Sequence, residues 1–105
     1  MDKKFVIYWV NGGKSVADRI AFQFEGEIRE RGIETRIRYM YGEMVIETPN
    51  VIIRFVNDYT KIKGVECDEC FGFPKKYEWH VRFKNPGERF EGGLLDYVCE
   101  KELMV

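Results

Sequence analysis

The sequence predicts an α/β fold. It reads as one domain over residues 1–105, with a mixed β-sheet of about four to six strands, one long helix over residues 15–31 and a short C-terminal helix. Three observations predict this. Residues 5–10 and 51–56 are unbroken apolar runs rich in β-branched and aromatic side chains, the pattern of central strands buried on both faces. Between them, Val16, Ile20, Phe24 and Ile28 recur at i+4 with Ala17 and Ala21 alongside, one apolar stripe of a helix. Other stretches alternate apolar and polar residues, as half-exposed strands do.

Taken in order, the first strand stops at Asn11-Gly12-Gly13. Ser15 is the expected N-cap, with Asp18 three residues on. Gly32 is the expected stop after the helix, and Gly26 within it suggests close packing on the sheet. Ile33, Thr35, Ile37 and Tyr39 alternate with Glu34, Arg36 and Arg38, and Met44-Val45-Ile46 follows Tyr41-Gly42-Glu43, so residues 33–48 read as a hairpin. Phe71 and Phe73 suggest a short strand. Residues 77–83 alternate Tyr77, Trp79, Val81 and Phe83 with polar partners, a further strand by the same rule. Leu94, Leu95, Val98 and Leu103, with Tyr97, suit the last helix. Because the helix stripe must cover a central strand, Phe5, Ile7, Trp9, Ile20, Phe24, Ile28, Ile52 and Phe55 are expected to share one core.

The totals narrow the function classes. With 45% hydrophobic and 33% charged residues and a net charge of −1, the chain has no global positive field, and nucleic acid is not an expected partner. No apolar run approaches the roughly 20 residues of a membrane helix, so no membrane partner is expected. Three cysteines do not make a disulfide framework, which points to a reducing, cytoplasmic setting.

The stretch with the most chemistry is Gly12-Gly13-Lys14-Ser15, between an apolar strand and a helix. Free amides and the positive end of the helix dipole favour anions there. These residues resemble the tail of the phosphate-binding loop of P-loop NTPases, whose signature is G-x-x-x-x-G-K-[ST]. Gly13, Lys14 and Ser15 match it, while the first glycine of the signature falls at Tyr8, so the likeness is to a degenerate loop. Downstream, Ile62-Lys63-Gly64 precedes Val65-Glu66-Cys67-Asp68-Glu69, which resembles the phage terminase-type and helicase-type ATPases of that family. The resemblance spans roughly residues 5–73. It implies a small, phage-borne relative and a magnesium–nucleotide as cofactor. By the same resemblance Asp68 takes the magnesium-binding place and Glu69 the water-activating place. Hydrolysis is not expected, catalytic residues are not assigned, and whether the chain is an enzyme stays open. The plain alternative is a strand–helix turn with a solvated lysine.

Cys67-Asp68-Glu69-Cys70 has metal-ligand spacing, and His80 and Cys99 would complete a Cys₃His set. Set against ordinary thiols, the expectation is that no metal is held. Tyr39, Tyr41, Tyr77, Trp79 and Phe83 lie among arginines and lysines, a pattern that can stack single-stranded nucleic acid but that strand alternation also explains. The leading reading is therefore a P-loop-like domain that binds a phosphate-bearing ligand, or a nucleotide, weakly or vestigially. The alternative is a non-catalytic assembly module whose exposed sheet face meets a protein partner, and the third reading is a zinc-stabilised nucleic-acid binder.

Overall fold

The computed structural model describes residues 3–103, except for the side chains at 76, 77 and 79. The chain runs β1 (Lys4–Trp9), α1 (Lys14–Glu30), β2 (Arg36–Met40), β3 (Glu43–Glu47), β4 (Val51–Val56), a 3-10 helix (Tyr59–Ile62), β5 (Glu66–Cys67), β6 (Glu69–Phe71), a second 3-10 helix (Lys75–His80), β7 (Arg82–Phe83) and α2 (Leu94–Leu103). Five strands form one mixed sheet in the order β2-β3-β4-β1-β6, and β5 pairs with β7 separately. The two apolar runs are β1 and β4, both interior. They lie parallel, with Lys4 opposite Val51 and Trp9 opposite Val56. β6 is parallel to β1 on its other side, with Val6 opposite Glu69.

Residues 33–48 make the expected hairpin, with Met40 opposite Glu43. Its two-residue turn, Tyr41-Gly42, has positive φ at both positions, 53° and 79°. That geometry matches the twist of paired strands, and glycine fits it far better than tyrosine does. Gly32, at φ 79°, ends α1 as expected, its amide donating to the Arg29 carbonyl. The start differs: the helix begins one residue early, at Lys14, and its N-cap is Gly13, two residues before Ser15, which lies inside the first turn. Gly26 meets nothing within 4 Å at its missing Cβ, so close packing does not explain it.

Successive β1 residues alternate between two cores. Val6 and Val10 join Ala17, Ala21, Ile28, Phe55, Leu94, Tyr97 and Val98 under the helices, with Tyr8, Ile20 and Phe24 partly buried against them. Ile7 joins Val56, Ile62, Cys67, Cys70 and Val81 on the other face, flanked by Phe5 and Trp9. The expected single core is thus split, since Phe5, Ile7 and Trp9 face away from α1. A strand buried on both faces carries no periodic mark of which face meets the helix.

Residues 77–83 are not a strand in the main sheet. Pro74 precedes the 3-10 helix over 75–80, and only Arg82–Phe83 pairs, with β5. The free edge of β1 is already occupied by β6, so this segment becomes cover instead. It is tied down by Gly64 donating to the His80 carbonyl at 2.7 Å and Arg82 to the Val65 carbonyl at 2.9 Å. The aromatic side chains expected at Tyr77 and Trp79 lie outside the described residues. The cover packs on β1, β4 and β6. Beyond it, over β2, β3 and β4 on the same face, lies a groove of about 300 Å³. No helix among the described residues is long and apolar enough to cross a membrane.

Candidate functional site at the carboxyl end of β1

The β1–α1 loop forms because an apolar strand runs into two glycines and then a helix of 17 residues. Gly13, the N-cap, is extended at φ −81° and ψ 179° and has no side chain to give the first-turn amides. The Ala17 amide donates to the Gly13 carbonyl at 3.1 Å, which leaves the amides of Lys14, Ser15 and Val16 at the mouth. At Gly12 a Cβ would meet Val16 side-chain carbons at 3.1 Å, so only glycine passes comfortably. Asn57, just after β4, donates from Nδ2 to the Gly12 carbonyl at 3.0 Å and ties the loop to its neighbour strand.

The position follows from topology. The chain leaves β1 for α1 on one face, and leaves β4 for Ile62 and the 3-10 helix on the other. Adjacent parallel strands that part this way open a crevice at their carboxyl ends, where α/β sheets hold ligands. β6 closes the third side: Gly72, at φ 78°, lies so near the Trp9 carbonyl oxygen that a Cβ would come within 2.5 Å of it.

Lys14 does not reach over the loop amides. Its Nζ lies 2.7 Å from Asp18 Oδ2 and 5.5 Å from the centre of the Tyr39 ring. The hydrogen bond to Asp18 raises the lysine above its ordinary range; desolvation opposes it, and weaker charge interactions with Asp18 and Tyr39 add to the rise. Ser15 is exposed in the first turn.

Asp68 and Glu69 are not brought to this loop. Asp68 lies by the amino end of β1, where its Oδ2 accepts from the Phe5 amide at 2.7 Å. Five residues separate Phe5 from Val10, about 16 Å of extended chain. Glu69, 1% exposed, accepts from Arg89 Nε at 2.7 Å and from the Phe90 amide at 2.6 Å, a structural knot. The magnesium and water-activating roles that the resemblance implied for them therefore have no geometry to act through at Lys14. No family model, curated protein or solved structure matches this chain.

The four suggested metal ligands also part. Cys67 and Cys70 are buried under the cover, whereas Cys99 on α2 packs in the helical core on the other face of the sheet. His80 stacks on Tyr59 with ring centres 5.2 Å apart. Among the described residues, no three His, Cys, Asp or Glu side chains gather as a metal-binding group. Burial, then the negative charge of Glu69 and Asp68, pushes the Cys67 thiol up to about 12. Burial does the same at Cys70, also to about 12. Since the thiolate is the reactive form, a disulfide reagent at mildly alkaline pH is expected to modify Cys99 first. Cys67 and Cys70 should stay protected until denaturant is added. Thiol titration before and after unfolding checks this, and uniform fast reaction of all three would contradict the packing.

Two site features escaped sequence reading. Nothing in the spacing of Asn57 marks it as a strap across to Gly12. Glu43 read as a turn residue, yet it is 6% exposed and its Oε1 accepts from Arg54 Nε at 2.6 Å. The signal available was Arg54 itself, a lone charge inside an apolar strand, which predicts a paired carboxylate on the neighbouring strand.

Proposed function

We propose that this chain is a small α/β domain that binds a phosphate-bearing ligand weakly at the β1–α1 loop. One observation carries the reading. A 17-residue helix opens with no side-chain cap hydrogen bond beside the carboxyl ends of the parallel strands β1 and β4. Its first-turn amides and dipole supply a partial positive charge of the kind that phosphates take. The binding is weak for a stated reason. Asp18 occupies the Lys14 ammonium at 2.7 Å, so an anion must displace a carboxylate or do without the lysine. No hydrolytic step is proposed, because Asp68 and Glu69 lie at the far end of β1.

The test is amide chemical-shift mapping with inorganic phosphate and with magnesium–ATP. Residues 11–16 should shift first, with a Kd around 1 mM, about −4 kcal/mol. Lys14→Ala should weaken binding several-fold without unfolding the chain. Asp18→Asn should strengthen it by about the same factor, since it frees the lysine and removes a negative charge beside the amides. If residues 11–16 stay still at millimolar phosphate and magnesium–ATP, the reading is wrong.

A further inference from the structure

We propose that the free edge of β2 takes up an extended segment of another polypeptide, with acidic and apolar residues in alternation, as an added strand of the main sheet. β2 stands at one end of the strand order. Arg36, Arg38, Tyr39 and Met40 on it are exposed. At the other end β6 has only three residues, and Arg89 and Phe90 bond to its Glu69. Hairpin register fixes which backbone groups β2 offers. Met40 and Glu43 flank the two-residue turn and so form a hydrogen-bonded pair. Such pairs recur at every second residue, at Arg38 with Val45 and at Arg36 with Glu47. Ile37 and Tyr39, between them, turn their N–H and C=O groups outward, and these groups bond to nothing else among the described residues. An added strand pairs with such a row.

The side chains decide the partner. Ile37 packs on the helical core and Tyr39 lies by Lys14, so both stand on the α1 face. Arg36 and Arg38 alternate with them and stand on the other face. Arg38 shares its carboxylate: Glu47 Oε1 accepts from it at 2.6 Å, while Oε2 accepts from Lys3 Nζ at 2.7 Å. Arg36 has no carboxylate within 4.0 Å among the described residues. Glu34 lines the same hollow as Lys3, Arg36 and Glu47, which leaves three cations against two carboxylates. Residues directly across from Arg36 and Arg38 on an added strand meet this charge, which favours acidic side chains there and disfavours basic ones. Residues across from Ile37 and Tyr39 meet an apolar side chain and a ring. A second copy of this chain is the poorer occupant. Antiparallel pairing of two β2 strands about Ile37 or Arg38 sets arginine opposite arginine. Pairing about Tyr39 runs each strand into the other copy's Tyr41-Gly42 turn, where φ is positive at both residues and the ladder ends.

The experiment uses the full chain and a blocked peptide of sequence Thr-Glu-Val-Glu-Val-Thr, with glutamine or lysine replacing both glutamates as controls. Amide shifts and hydrogen exchange are followed. With the glutamate peptide the Ile37 and Tyr39 amides should become protected, while the Arg38 amide, already bonded to β3, changes little. Binding should weaken by about threefold or more with the glutamine peptide, and further with the lysine peptide. High salt should narrow that gap, since exposed charges are screened. Arg36→Glu together with Arg38→Glu should reverse the order, so that the lysine peptide binds best. If that variant fails to fold, the three peptides on the natural chain still decide. Equal binding of the three, or shifts without protection at Ile37 and Tyr39, would overturn the proposal. Protection of these amides that grows with protein concentration and needs no peptide would make the occupant a second copy, and would overturn the assignment to an acidic partner.

Discussion

Phe55→Ala is expected to cost about 3–5 kcal/mol, the range for deleting a fully buried phenylalanine. Phe55 is 1% exposed on an interior strand, with its ring centre 5.4 Å from that of Tyr8 and 6.1 Å from that of Phe24. Neighbours held by strand pairing cannot collapse into the space, so the cavity persists. A domain of this size holds roughly 5–15 kcal/mol in all, so the variant keeps a much smaller margin. Phe24→Ala, by contrast, removes a half-buried ring and should cost clearly less. Urea unfolding of both variants checks the order. A shift in midpoint with unchanged slope is expected. A loss below about 1 kcal/mol for Phe55→Ala would mean that the helical core is not packed as described.

Arg89→Ala is expected to cost about 3 kcal/mol, because it strands a buried carboxylate. Removing one partner of a buried ion pair is far worse than losing an exposed one. Glu69 is 1% exposed, and Arg89 Nε at 2.7 Å is its charged partner. The remaining bond from the Phe90 amide, at 2.6 Å, keeps the estimate at the low end. Arg89 also lies over the Phe83 ring at 4.0 Å, so some of the loss is packing. The double variant Glu69→Gln with Arg89→Ala separates the two. It should recover part of the stability lost by the single change, because the uncompensated charge is gone. Arg89→Ala within about 0.5 kcal/mol of the natural chain would show that the pair carries no weight.

What could be read in advance followed from how each element is stabilised. β1, β4, α1 and the 33–48 hairpin carry their own periodicity, turn residues or stop signals; the first three form within a residue of their expected bounds, and the hairpin strands begin three residues late, at Arg36. The face that β1 turns to α1 was not legible, because Val6 and Ile7 are equally apolar and both are fully buried. The segment 77–83 misled for a different reason. Its alternation is real, but a strand needs a free edge, and whether β6 has taken that edge is a tertiary fact. At the site, the glycines and the helix start were legible in Gly12-Gly13-Lys14-Ser15. The partner of Lys14 was only half so: Asp18 stands at i+4, the spacing at which such pairs form on a helix. The distance of Asp68 from the loop was not, since it depends on which end of β1 the β6 segment meets.

The place of β1 between β4 and β6 also governs how the chain must fold. Its partners come late: Lys4 awaits Val51, and the Phe5 amide is satisfied by Asp68, 63 residues away. The meander β2-β3-β4 is local by comparison, closed by a two-residue turn and by the short bend at Thr48–Val51. Contacts of such unequal sequence separation order the search, with the meander forming early and β1 inserting afterwards. During synthesis from the amino end, this interior strand is therefore made before either of the strands it pairs with, and paired last. Until residue 56 is free to pair, both its edges stand open, and until residue 71 one still does, a template for mispairing with another chain.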